Sequence, residues 1–189
     1  MTEEEANIGL YKDYIAEHRQ NVRTAFDRLL RDLVATPGSV AAQLPGVSAQ
    51  EVADALLQTN KLVLVHDMSK YRDEEFLPYR VHFYPTAEER RLIEAGEMDE
   101  EAAFRIAWNR HCAANPHHPA HWSNEDWTPR DDMTLPYVFE AIADWEGMAI
   151  RFGGDARRWW ESECADRDRA MMTDKTREAF DRLLFWLFR

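Results

Sequence analysis

Between Glu4 and about Leu33, apolar side chains return every three or four residues. Tyr11, Ile15, Val22, Phe26, Leu29 and Leu33 share one face with His18, while Glu17, Arg19, Arg23, Asp27 and Arg31 fill the other. That period predicts one long amphipathic helix. It recurs over Asp99–Ala114, where Phe104, Ala107, Trp108 and His111 share a face, and over Thr134–Phe152, marked by Val138, Ile142, Trp145 and Met148. Lys61–Val65 alone would pass for a strand, but no second run exists for it to pair with, so it reads as a buried helix. The expected class is all-α, a bundle of about six to eight helices.

Punctuation between these stretches fits the same class. Ser48–Glu51 and Thr86–Glu89 both carry the S/T-x-x-E pattern of a capping box, the first opening a short helix to about Gln58, the second a charged one ending near Gly96. Asp73-Glu74-Glu75 puts negative charge at the start of a helix running to Pro85, where the helix dipole favours it. Thr36–Ser39 and Pro45-Gly46 break the chain, Asn115-Pro116 and Gly153-Gly154 stop helices, and Thr173 caps a last one over Asp174–Phe188. His117–Trp127 reads as a loop. At 189 residues the chain is expected to form one domain, 1–189.

A formal net charge of −12, spread over several acidic stretches, argues against stable binding to nucleic acid, because no Lys/Arg run is long enough to offset it. A small-molecule partner fits better, and a phosphorylated one stays open, since a bound cation and a few basic side chains can hold phosphate inside an acidic protein. Cys112 and Cys164 lack the spacing of a zinc knuckle and no signal peptide is read, so a reducing cytoplasm is the expected compartment. No apolar run nears the roughly 20 residues that span a bilayer. The oligomeric state is open.

The chemistry concentrates in histidine. Of seven, five combine with two aspartates in a scatter that reads as a metal site: His18, His66-Asp67, His111, His117-His118 and Asp144. One histidine in an apolar seam is more often a hydrogen-bonded core residue than a ligand. Several of them on core-facing positions of separate helices, beside a His-Asp pair, are costly to bury unless a shared cation repays their desolvation. Imidazole and carboxylate donors without thiolate suit Mn, Fe, Co, Ni or Zn better than Mg.

The order His18, His66-Asp67, Asp144 on successive helices resembles the HD superfamily of metal-dependent phosphohydrolases, and His66-Asp67-Met68-Ser69-Lys70 is similar to its HD-x-x-K variant. The phrases EHRQNV (Glu17–Val22), HDMSKYRDEEFLPY (His66–Tyr79), FRIAWNRHCAANPHHPAHW (Phe104–Trp122) and EAIADWEGMAIRFG (Glu140–Gly153) further resemble a family of small phage and bacterial proteins of unassigned function. The resemblance covers a core region of about 11–153, leaving 154–189 as a helical extension. It implies that His18, His66, Asp67 and Asp144 hold one ion. His111 with one of His117, His118 or His121, of which His118 is favoured, would hold a second.

Such a site implies hydrolysis of a nucleotide or another small phosphate ester, with Asp67 orienting the attacking water. Lys70, Arg80 and Arg110 are candidate substrate contacts; their plain alternatives are a solvated lysine and surface ion pairs. Glu74 or Glu75 could serve as proton donor, though a helix start explains both. Two other functions stay open. One is an HD-fold di-iron oxygenase that cleaves its substrate with dioxygen. The other is a non-catalytic, metal-stabilised binding protein with Trp159-Trp160 and the Phe185–Phe188 tail facing a partner.

Overall fold

The computed structural model describes every residue, Met1–Arg189, and contains no β-strand beyond an isolated bridge between Ser123 and Pro129. Ten α-helices follow one another: α1 (Glu3–Ala35), α2 (Pro37–Ala41), α3 (Ala49–Val65), α4 (Asp73–Phe83), α5 (Ala87–Glu94), α6 (Glu100–Ala114), α7 (Leu135–Phe152), α8 (Ala156–Glu161), α9 (Asp166–Met171) and α10 (Asp174–Leu187). Short 3-10 turns occupy Met68–Tyr71, Pro119–Trp122 and Glu163–Ala165. The all-α class is thus the observed one. No helix is long and apolar enough to cross a membrane.

Both capping boxes form, each with its hydroxyl accepting from the N3 amide and its glutamate accepting from the N-cap amide. The helix opened by Ser48 does not stop near Gln58 but runs on through Val65. Thr59, which interrupts the apolar pattern, is fully buried, and its hydroxyl donates within 3.0 Å of the carbonyls of Ala55 and Pro136. A satisfied hydroxyl costs the helix little. The break at Thr36 likewise holds a short helix, α2, whose first residue, Pro37, needs no amide partner.

The chain gathers into two compact units, Met1–Glu17 with Asp67–Asn115, and His18–His66 with Pro116–Arg189. In the first, α4 packs on α6 and the core is aromatic: Tyr11, Phe76 and Tyr79 are buried with Ile15 and Ala107. Tyr79 meets Phe104 edge to face at 5.0 Å and Tyr11 meets Phe76 at 5.0 Å, orientations that aromatic pairs favour.

In the second unit α3 packs on α7, and the core is mainly aliphatic around Val22, Phe26, Leu33, Phe139 and Ile142. The tryptophan-rich segment closes one side of it: Trp145 stacks against Trp159 at 4.5 Å, and Trp160 against Phe180 at 5.2 Å. Gly147 of α7 touches α1. A Cβ there would stand 2.8 Å from the Val22 nitrogen, inside any real carbon contact, so glycine permits the approach of the two helices. Asp144 precedes Gly147 by one turn and His18 precedes Val22 by one turn, and the same approach brings those two side chains together.

Candidate metal centre

Each unit carries one buried array of imidazole and carboxylate. In the second unit, His18 comes from the middle of α1, His66 caps the C-terminus of α3, and Glu140 and Asp144 lie one turn apart on the buried face of α7. Arg19, next to His18, donates from Nε to the His66 carbonyl and from Nη2 to the Leu64 carbonyl, both at 2.8 Å. It supplies partners for carbonyls that a helix end leaves open, and so fixes where His66 stands.

Three donor atoms meet in a triangle. His18 Nε2 lies 3.2 Å from Asp144 Oδ1, His66 Nε2 lies 3.3 Å from His18 Nε2, and His66 Nε2 lies 3.5 Å from Asp144 Oδ1. Nitrogen and oxygen ligands about 2.1 Å from one ion, at octahedral to tetrahedral angles, stand about 3.0–3.4 Å apart, so the edges fit a cation's ligand face. The other nitrogen of His66, Nδ1, lies 2.9 Å from Glu140 Oε1. Donating its proton there leaves Nε2 as a lone pair aimed at Asp144 and His18, the carboxylate–histidine–metal arrangement of metal sites.

A lone pair facing a carboxylate oxygen needs a proton or a cation between them. Asp144 Oδ1 is buried and makes no hydrogen bond, which favours the cation. Burial alone would raise the Asp144 carboxyl, yet the rings of His18 and His66 hold it well below the ordinary range. Glu140 behaves in the same way: burial opposes its charge, and His117 and His66 overcome it. His117 joins from the loop after α6, with its ring 4.4 Å from that of His66, and the donor atoms of His66, His117 and Asp144 lie within 4.8 Å of one another.

The first unit repeats the motif with other residues. Asp67 turns the chain out of α3 in left-handed backbone (φ 56°, ψ 18°), a conformation that aspartate tolerates better than most residues. Its Oδ1 lies 3.2 Å from Nε2 of the fully buried His111, and its Oδ2 accepts from Lys70 Nζ at 2.6 Å. His111 Nδ1 lies 2.9 Å from Glu75 Oε2, so a buried glutamate again orients an imidazole whose Nε2 meets an aspartate. Ser69 Oγ donates to the same Glu75 oxygen and receives the side-chain amide of Asn115, both at 2.9 Å. Burial works against charge on His111, and Asp67 and Glu75 outweigh it, holding the ring above its ordinary value.

Among the expected residues, His18 and His66 meet Asp144, and Asp67 meets Lys70 and His111. The rings of His117 and His118 lie 4.2 Å apart, and His117 also meets Glu140 and Asp144. Arg80 is 3% exposed and both terminal nitrogens bind Glu89, the ion-pair alternative to a substrate contact, joining α4 to the start of α5. Arg110 lies on the exposed face of α6, and Glu74 is exposed, whereas Glu75 does more than begin a helix. Trp160 is core rather than partner-facing, while Phe185 is exposed.

Sequence reasoning overlooked Glu140, although a glutamate four residues before Asp144 on an apolar helix face is a readable signal. Nothing in the sequence marked Arg19, Ser69 or Asn115. No curated protein and no solved structure matches the chain. A model of a family of unknown function, DUF5662, matches residues 7–184, almost the whole length, and the chain belongs to that family.

Proposed function

We propose that this protein is a metal-dependent phosphohydrolase acting on a nucleotide or another small phosphate ester. One observation carries the reading: the His18–His66–Asp144 triangle, with Glu140 fixing the proton of His66 on the far nitrogen. The donor set suits Mn, Fe, Co, Ni or Zn. Such an ion supplies Lewis acidity when bound, drawing charge from a phosphoryl oxygen and acidifying water.

The remaining work falls to side chains. Glu140 keeps His66 in the tautomer that presents a lone pair, and Arg19 holds the helix end that carries it. Lys70 neutralises one oxygen of Asp67 and offers positive charge to an anionic substrate. His111, held above its ordinary pKa by Asp67 and Glu75 against the pull of burial, is the candidate proton donor to a leaving oxygen.

The second array also favours a di-iron oxygenase as the runner-up, because Asp67 and His111 add two donors of the type a second ion takes. Metal analysis of protein purified without added metal separates the two. The hydrolase reading expects phosphate release from nucleoside phosphates that a chelator abolishes and Mn, Co or Ni restores. Two irons per chain with an oxygen-dependent optical change would transfer the assignment to the oxygenase. Metal-free protein indifferent to chelators would end both.

A further inference from the structure

Two tyrosine hydroxyls in the first unit have no partner. Tyr11 of α1 is fully buried and Tyr79 of α4 is 3% exposed, yet neither hydroxyl makes a hydrogen bond to any protein atom. A buried phenol normally finds a partner, and leaving one without costs stability. Here two occur side by side, their rings stacked at 6.4 Å and 22°.

Both hydroxyls lie in the field of Asp67 and Glu75, though neither carboxylate accepts from them. Burial first, then Asp67 at Tyr11 and Cys112 followed by Asp67 at Tyr79, with Glu75 adding less, push both phenols far above their ordinary value, so both remain protonated donors. Lys70 lies over the Tyr79 ring, its ammonium 5.6 Å from the ring centre and 2.6 Å from Asp67 Oδ2. His111 meets the same ring edge to face at 6.0 Å. Two phenols and an ammonium form a group rich in donors, which calls for a ligand rich in acceptors.

We propose that Tyr11 and Tyr79 bind an oxyanion, the phosphoryl oxygens of the substrate, beside Asp67 and Lys70. The inference rests on the hydrolase reading for the identity of that group and names two residues that grip it. Lys70 offsets carboxylate charge there. The hydroxyls are binding groups, not catalytic ones.

Inorganic phosphate is the probe, titrated into the full-length protein with Mn present and followed by calorimetry and by its effect on the melting temperature. Tyr11→Phe and Tyr79→Phe keep the rings and remove only the hydroxyls. Each is expected to weaken phosphate binding about tenfold or more and, without phosphate, to melt at or above the wild-type temperature. For a phosphate ester that is turned over, KM should rise more than kcat falls. Unchanged phosphate affinity in both variants would overturn the proposal, as would no phosphate binding by the wild type. A lowered melting point with unchanged affinity would assign the hydroxyls to structural water instead. Tyrosine-dependent phosphate binding without any ester turnover would leave this inference standing and remove the hydrolase reading.

Discussion

Gly147 on α7 lies against the backbone of Val22 on α1, with room for a hydrogen and no room for a methyl group: the added carbon would stand 2.8 Å from the Val22 nitrogen. The obstacle is backbone and cannot swing aside. Gly147→Ala therefore has to separate the two helices, and overpacking of this kind costs about 1–3 kcal/mol. Because His18 and Asp144 meet one turn further along at 3.2 Å, the same separation stretches the proposed ligand triangle. The expected outcome is a lower urea midpoint together with at least a tenfold loss of Mn or Co affinity. A variant that is destabilised yet binds metal as the wild type does would show that the helix approach does not set the triangle.

Glu140 tests the orientation of His66 without disturbing packing. Glu140→Gln is nearly isosteric, but its amide lacks the charge that holds the proton on Nδ1. Loss of such a supporting group commonly lowers metal affinity about 10- to 100-fold. The variant should fold normally by circular dichroism, bind metal correspondingly more weakly, and recover turnover when metal is supplied in excess. His66→Ala, in contrast, should lose both metal and turnover at any metal concentration.

How far the sequence foretold this arrangement depends on periodicity. His18 sat in an apolar seam at helical spacing, and the structure buries it there; α6 and α7 were legible for the same reason. Where the pattern lapsed, the reading lapsed with it. The helix reads as ending near Gln58, whereas it continues through Thr59, whose hydroxyl finds two buried carbonyl acceptors that sequence does not display. The loop histidines carry no period, so spacing does not distinguish His117 from His118, and the contact of His117 with Glu140 is a tertiary one. Arg80 looked like a phosphate ligand because its partner, Glu89, lies beyond a helix end that sequence spacing does not resolve.

Lys70 separates substrate binding from metal binding. Its ammonium pairs with Asp67 Oδ2 at 2.6 Å. Lys70→Ala is expected to leave metal content unchanged and to raise KM for an anionic substrate about tenfold, the order of one charge-assisted hydrogen bond. Wild-type kinetics in this variant would remove Lys70 from the substrate contacts and leave it as the counter-ion of Asp67 alone.

Asp168 on α9 gives a pH signature. Burial pushes its carboxyl from 3.8 up to about 6, Arg167 opposes this and the charge of Asp144 adds to it. An acid whose folded pKa exceeds its unfolded one binds more protons when folded, so its contribution to stability is intact below the unfolded pKa and is lost as pH rises through the folded one. In metal-free protein the charged Asp168 should therefore penalise the fold at pH 7. At about 1.4 kcal/mol per pKa unit the ceiling is ~3 kcal/mol, and partial exposure brings the expectation to ~1–2 kcal/mol. Asp168→Asn should raise the urea stability at pH 7 by that amount and lose its advantage by about pH 4, below which both proteins carry an uncharged side chain here. A cation held by Asp144 cancels part of the repulsion, so adding Mn should shrink the difference at pH 7 while chelator restores it. An advantage that persists unchanged from pH 7 to pH 4 would trace the effect to packing and not to charge.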